Sequence, residues 1–188
     1  MKKIFLTLFC IIVSFIHVSA QNETVTKTIS VFPYQHPAEA GSAFVSMYAW
    51  NKAHWKNFLS LLDDDSLKVK AAYALSAYIH HVTADAEKKK EAAAYLSKEL
   101  LSVKTWYGRD LIIQHLGLLG DDAGVKILSK LLSDEIYVGN AARALAVIRS
   151  EKSIAALNKA LSKAKEPAAK HIQAALDNVN KPLPEIKR

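Results

Sequence analysis

Apolar residues recur along this chain at helical spacing. Val125, Leu128, Leu131 and Leu132 fall at i, i+3, i+6 and i+7, and Ile154, Leu157, Ala160 and Leu161 repeat the stripe 29 residues later. That spacing predicts amphipathic helices, because side chains three and four residues apart share one face. A second kind of segment alternates with the first. Residues 64–75 read DDSLKVKAAYAL, residues 134–145 read DEIYVGNAARAL, and residues 165–176 read KEPAAKHIQAAL. Residues 105–116, TWYGRDLIIQHL, are a more divergent copy. The closing leucines Leu75, Leu116, Leu145 and Leu176 are separated by 41, 29 and 31 positions. No apolar-polar alternation in this region predicts a strand.

The two segment types predict helix pairs over residues 55–81, 86–119, 121–149 and 151–179. A pair of short helices cannot bury its apolar face alone, so stacking of pairs is the stable solution. Ala71-Ala72, Ala141-Ala142 and Ala174-Ala175 combine helix propensity with little bulk, which allows neighbouring pairs to approach closely. Asp63-Asp64-Asp65, Asp121-Asp122 and Asp134 stand where helices begin, as expected of residues that cap orphan amides. Pro167 near the start of the last helix lacks an N–H that would have no partner there. The longer second period places extra residues at 82–91. They include Lys88-Lys89-Lys90, expected as a solvated helix start or loop.

The organisation read from the sequence is a signal peptide at 1–20, an extended arm at 21–40 around Pro33, a repeat domain at 41–180 and a tail at 181–188. Lys2 and Lys3 precede an apolar run over residues 4–18, and Val18-Ser19-Ala20 supplies small residues for cleavage before Gln21. The expected location is therefore periplasmic or secreted, with no stable membrane insertion after cleavage. Cys10 lies inside the apolar run, so the mature chain has no cysteine, which excludes thiol nucleophiles, disulfides and thiolate metal sites. About 168 residues remain, enough for one core. The charge of +7 for the whole chain is uneven: residues 21–150 carry 15 basic against 14 acidic side chains, and residues 151–188 carry 8 against 4. Near-neutrality over the first stretch argues against a track for nucleic acid. The basic end is expected to be a solvated helix face.

Residues 120–132, GDDAGVKILSKLL, and residues 134–145 together resemble the short HEAT repeats of phycobilisome-lyase-like proteins. In that group a G-D-x-x-A-V-x-x-L-x-x-L-L helix precedes a D-P-x-V-R-x-x-A-A-x-A-L helix. The resemblance covers about residues 55–179 and extends to exported bacterial members of the group. It departs from the pattern where the proline after the capping aspartate is missing from the first three pairs. The basic residue survives only as Lys68 and Arg109. The resemblance implies an all-α, right-handed α-α superhelix of about four helix pairs, and a binding scaffold rather than an enzyme.

Candidate chemistry is sparse. The chain has no G-x-S-x-G, no H-E-x-x-H, no phosphate loop and no dinucleotide-binding glycine fingerprint. Asp63-Asp64-Asp65 lacks the glycine and distal glutamate of a calcium loop. His80 and His81 are adjacent and point about 100° apart on a helix, so they cannot chelate one ion together. No cofactor and no metal are expected. Second helices commonly line the inner face of such stacks. Counting six residues from each apolar start gives Tyr73, Gln114, Arg143 and Ala174. With Asp110, Asn140 and Lys170 they form a candidate polar-aromatic stripe for a protein partner. The alternative is a glycan or small-molecule site built from Tyr48, Trp50, Trp55, Phe58, Tyr73 and Tyr78, since such rings bury area at low entropic cost. Against it, Phe44, Tyr48, Trp50 and Phe58 also suit a cover for the open end of the stack.

Overall fold

A computed structural model of the chain describes residues 22–181. Every regular element among them is helical. Helix α1 is described over residues 22–29. Next come α2 (Pro37–Tyr48), α3 (Lys52–Ser60), a 3-10 turn (Leu61–Asp63) and α4 (Lys68–Val82). The remaining helices are α5 (Ala86–Glu99), α6 (Trp106–Leu119), α7 (Asp122–Leu131), α8 (Val138–Ile148), α9 (Glu151–Leu161) and α10 (Ala168–Val179). The described residues divide into two compact units, one up to Tyr78 and one from Ile79, with the division falling inside α4. The expected signal peptide and most of the tail lie outside the described residues.

Caps explain where the helices start. Asp64 Oδ1 accepts from the Ser66 and Leu67 amides at 2.8 and 3.0 Å, and Asp134 Oδ1 accepts from Ile136 and Tyr137 at 2.9 and 3.2 Å. The same turn thus recurs 70 residues apart, so the aspartates are local caps. The hydrogen bonds from Ser66 and Leu67 also hold the Asp64 carboxyl below its usual range. Thr105, Asp121 and Ser150 cap α6, α7 and α9, and Asp85 caps α5. The Lys88-Lys89-Lys90 run is the start of α5, with Lys88 3.0 Å from Glu91. Pro167 is the N-cap residue of α10.

The N-terminal arm differs from expectation. In place of an extended stretch over 21–40, residues 22–29 are helical and α2 begins at Pro37. Val25, Ile29 and Phe32 lie at i, i+4 and i+7 and are all buried, a stripe that needs a partner surface. Thr28 and Ser46 hydroxyls meet at 3.0 Å and tie α1 to α2. The rings of this unit form its core. Trp55 lies 5.1 Å from Tyr78 and 5.8 Å from Phe58, while Trp50 lies 5.2 Å from Phe58. Such edge-on and tilted pairs add to the area the rings bury.

The C-terminal unit is two layers of helices. In one layer α6 packs on α8 and α8 on α10; in the other α5 packs on α7 and α7 on α9. The layers join through α5 with α6, α7 with α8 and α9 with α10. Small residues, Gly117 on α6 and Ala141 and Ala144 on α8, let the first two helices of the first layer approach closely. A Cβ placed on Gly117 would stand 3.1 Å from Ala144 Cα, a contact so tight that α8 would have to give way, so glycine suits the place where α6 crosses α8. Leu116, Leu128, Leu145, Leu157 and Ile172 fill the space between layers with no exposure.

Candidate functional site

Between α6 and α8 lies a surface groove of about 390 Å³, lined by Asp110, Gln114, Leu118, Asn140, Arg143, Ala144 and Val147. Its polar floor is a chain of hydrogen bonds between the two helices. Gln114 Nε2 donates to Asp110 Oδ2 at 2.7 Å, one turn apart on α6. Asn140 Nδ2 on α8 donates to Asp110 Oδ1 across the gap, and Arg143 donates to Asn140 Oδ1 at 2.5 Å. The Asp110 carboxylate therefore accepts from amides of both helices. Arg143 uses one nitrogen on Asn140, and its exposed fork has further donors. Beside this network stand two apolar side chains, Leu118 at 47% exposure and Val147 at 58%.

Four of the seven candidate stripe residues thus meet in one groove: Asp110, Gln114, Asn140 and Arg143; Ala174, exposed on α10, does not line it. Lys170 is exposed on α10 and does not line the groove. Tyr73 belongs to the N-terminal unit, on the part of α4 before the division, and is 54% exposed. Leu118 and Val147 were not among the candidates. They continue the i, i+4 stripe from Gln114 and from Arg143, which was the signal available for them.

The rings of the alternative site are otherwise used. Trp50, Trp55, Phe58 and Tyr78 are buried at 4% exposure or less, Tyr48 is half-buried, and of the six only Tyr73 is exposed. Two arginines have structural duties. Arg109 Nε donates to the Val103 carbonyl at 2.5 Å and its guanidinium lies 5.7 Å from the Tyr137 ring centre. Arg149 donates to the Asn178 and Lys181 carbonyls at 2.7 and 2.9 Å. Among histidines, His115 is buried on α6. Burial, with the nearby His80 charge adding to it, pushes its imidazole down to about 4. Among the described residues no group of three or more His, Cys, Asp or Glu side chains is placed to hold a metal ion. No described helix is long and apolar enough to cross a membrane.

No family model, curated protein or solved structure matches the chain.

Proposed function

We propose that the chain is an exported HEAT-like repeat scaffold, without catalysis of its own, that holds a protein partner along the α6–α8 groove. The observation that carries this reading is the groove's surface. A polar network fixed between two helices stands beside exposed Leu118 and Val147, with Arg143 free to offer donors. Apolar side chains next to an anchored arginine are the composition of protein-binding patches. The resemblance to HEAT repeats, in which second helices line the inner face, supports reading α6, α8 and α10 as the partner-facing layer. Export rests on the positive, apolar and small-residue pattern of residues 1–20, which predicts a periplasmic or secreted protein starting at Gln21.

The test is site-specific photo-crosslinking in envelope and secreted fractions, with the reactive group at Gln114 or Val147 and a control at exposed Lys126 on α7. A discrete adduct from the first two positions, absent from the control and abolished by Leu118→Glu, is the expected result. Equal adducts from Lys126, or none from the groove, overturn the assignment. N-terminal sequencing of the protein recovered outside the cytoplasm checks the Gln21 start.

A further inference from the structure

A second and larger groove, of about 1110 Å³, lies on the other layer of the C-terminal unit, between the end of α7, the length of α9 and the turns at the C-terminal ends of both helices. It shares no residue with the α6–α8 groove. Its character comes from one stripe of α9. Lys152, Ala155, Ala156, Lys159 and Ala160 fall at i, i+3, i+4, i+7 and i+8, and Lys163 in the next turn continues the row. All of them line the groove. The floor is therefore alanine, and no acidic residue interrupts the stripe. Lys130 and Lys165 add positive charge at the rim, while Glu135 and Glu166 belong to the two turns.

The charges on this surface are unevenly satisfied. Lys152 pairs with Asp122, and the Asp134 carboxylate is used in capping the turn before α8. Lys130, Lys159, Lys163 and Lys165 make no ion pair among the described residues. Four free ammonium groups around an apolar trough call for carboxylates at their own spacing. Lysine stems can cover the flanks of an apolar partner while their heads reach outward. An alanine floor lets a second helix approach to about 8–10 Å, where larger side chains would hold it off.

We infer that the α7–α9 groove is a docking site for an acidic amphipathic helix of a protein partner. The helix lays its apolar stripe on Ala155, Ala156 and Ala160 and directs glutamates or aspartates to Lys159, Lys163, Lys130 and Lys165. A lipid surface fits less well. The large apolar residues of the lining, Leu132 and Val138, are buried at 4% and 2% exposure and have nothing to insert into a bilayer. A helix in a trough instead matches the shape and the period of the row.

The experiment titrates the chain with a fluorescent synthetic helix of about 18 residues, five turns, bearing a leucine stripe flanked by glutamates. Its controls are the same helix flanked by lysines, a polyglutamate of equal length, and anionic phospholipid vesicles. Saturable binding of the acidic helix is expected, weakening with salt as screened charge pairs do. Lys159→Glu with Lys163→Glu should weaken it about tenfold or more, as should Ala155→Gln, which fills the floor without changing charge. Arg143→Ala, in the other groove, should leave it unchanged. These positions are exposed, and far-UV ellipticity with the thermal midpoint verifies that each variant is folded. Absence of saturable binding overturns the proposal. So does equal binding of polyglutamate, which would mean charge alone, or displacement of the peptide by vesicles, which would mean a lipid site.

Discussion

The buried imidazole of His115 makes stability depend on acid. Its proton affinity is lowered from the ordinary 6.5 to about 4, chiefly by loss of solvent and further by the neighbouring His80. The unfolded chain therefore binds a proton between those two values while the folded chain does not. Folding stability from this group is present above pH 6.5 and is lost as the pH falls toward 4. The full span corresponds to about 3 kcal/mol. Urea denaturation from pH 7 to pH 4 should show that decline, and His115→Gln should flatten this part of it. An unchanged slope in the variant would assign the acid sensitivity to other groups. At this scale the sequence was legible where a side chain serves its own turn: Asp64, Asp121 and Asp134 each cap an amide two or three residues further along. It was not legible for Arg109, whose ring contact is 28 positions away, or for Arg149, whose carbonyl partners are 29 and 32 positions away.

At the scale of the helix, glycine means different things in different places. Gly41 lies on an exposed face of α2, and a Cβ there would meet nothing within 4 Å. Gly117 lies where α6 crosses α8, and a Cβ there would press into Ala144 at 3.1–3.3 Å. Gly41→Ala should stabilise by about 0.5–1 kcal/mol, since alanine loses less entropy in a helix. Gly117→Ala should destabilise by about 1–3 kcal/mol, because two backbones must part to admit one methyl group. Thermal midpoints of the two variants, read side by side, check the claim; equal shifts would mean the α6–α8 crossing is not tight. The same crossing carries the Asp110–Asn140 bond, so the second variant also loosens the candidate groove. Periodicity brought Asp110 and Asn140 into the same candidate stripe, but not their bond, since they stand 30 positions apart where the closing leucines of their helices stand 29 apart. It also offered Lys170, which the structure leaves outside the groove. The lysine row of α9 was visible too, but charge counting alone assigned it to a solvated face. Only the packing of α7 beside α9 shows the alanine floor under it. Helix α1 was not legible because Pro33 and Pro37 dominate that stretch, while its own buried residues include only two large apolar ones, Val25 and Ile29.

Across the molecule the two compact units have different interiors, one of interlocking rings and one of alanine and leucine between layers. The period of about 30 residues could be read from the sequence because the layered unit repeats one packing solution. The division inside α4 could not, because the helical pattern runs through it unbroken. In a stack where each helix touches only near neighbours, stability should grade with the number of neighbours. Helix α8 packs on α6, α7, α9 and α10, whereas among the described residues α10 packs chiefly on α8 and α9. Beyond this packing, Arg149 clamps the C-terminal end of α10. It sits at φ 54°, in the left-handed region that Gly120 occupies 29 residues earlier at the end of α6. Arginine is a poor choice for that backbone, costing about 1 kcal/mol against glycine. Its guanidinium offsets this by holding the Asn178 and Lys181 carbonyls. Native-state hydrogen exchange should therefore find the slowest amides of this unit in α8 and faster ones in α10. Arg149→Gly relieves the backbone and removes the clamp at once. It should leave α8 protection nearly unchanged while α10 amides exchange about tenfold faster, the loss of roughly 1.4 kcal/mol of charged hydrogen bonding. Uniform acceleration in both helices would mean that the unit opens only as a whole and that the clamp has no local effect.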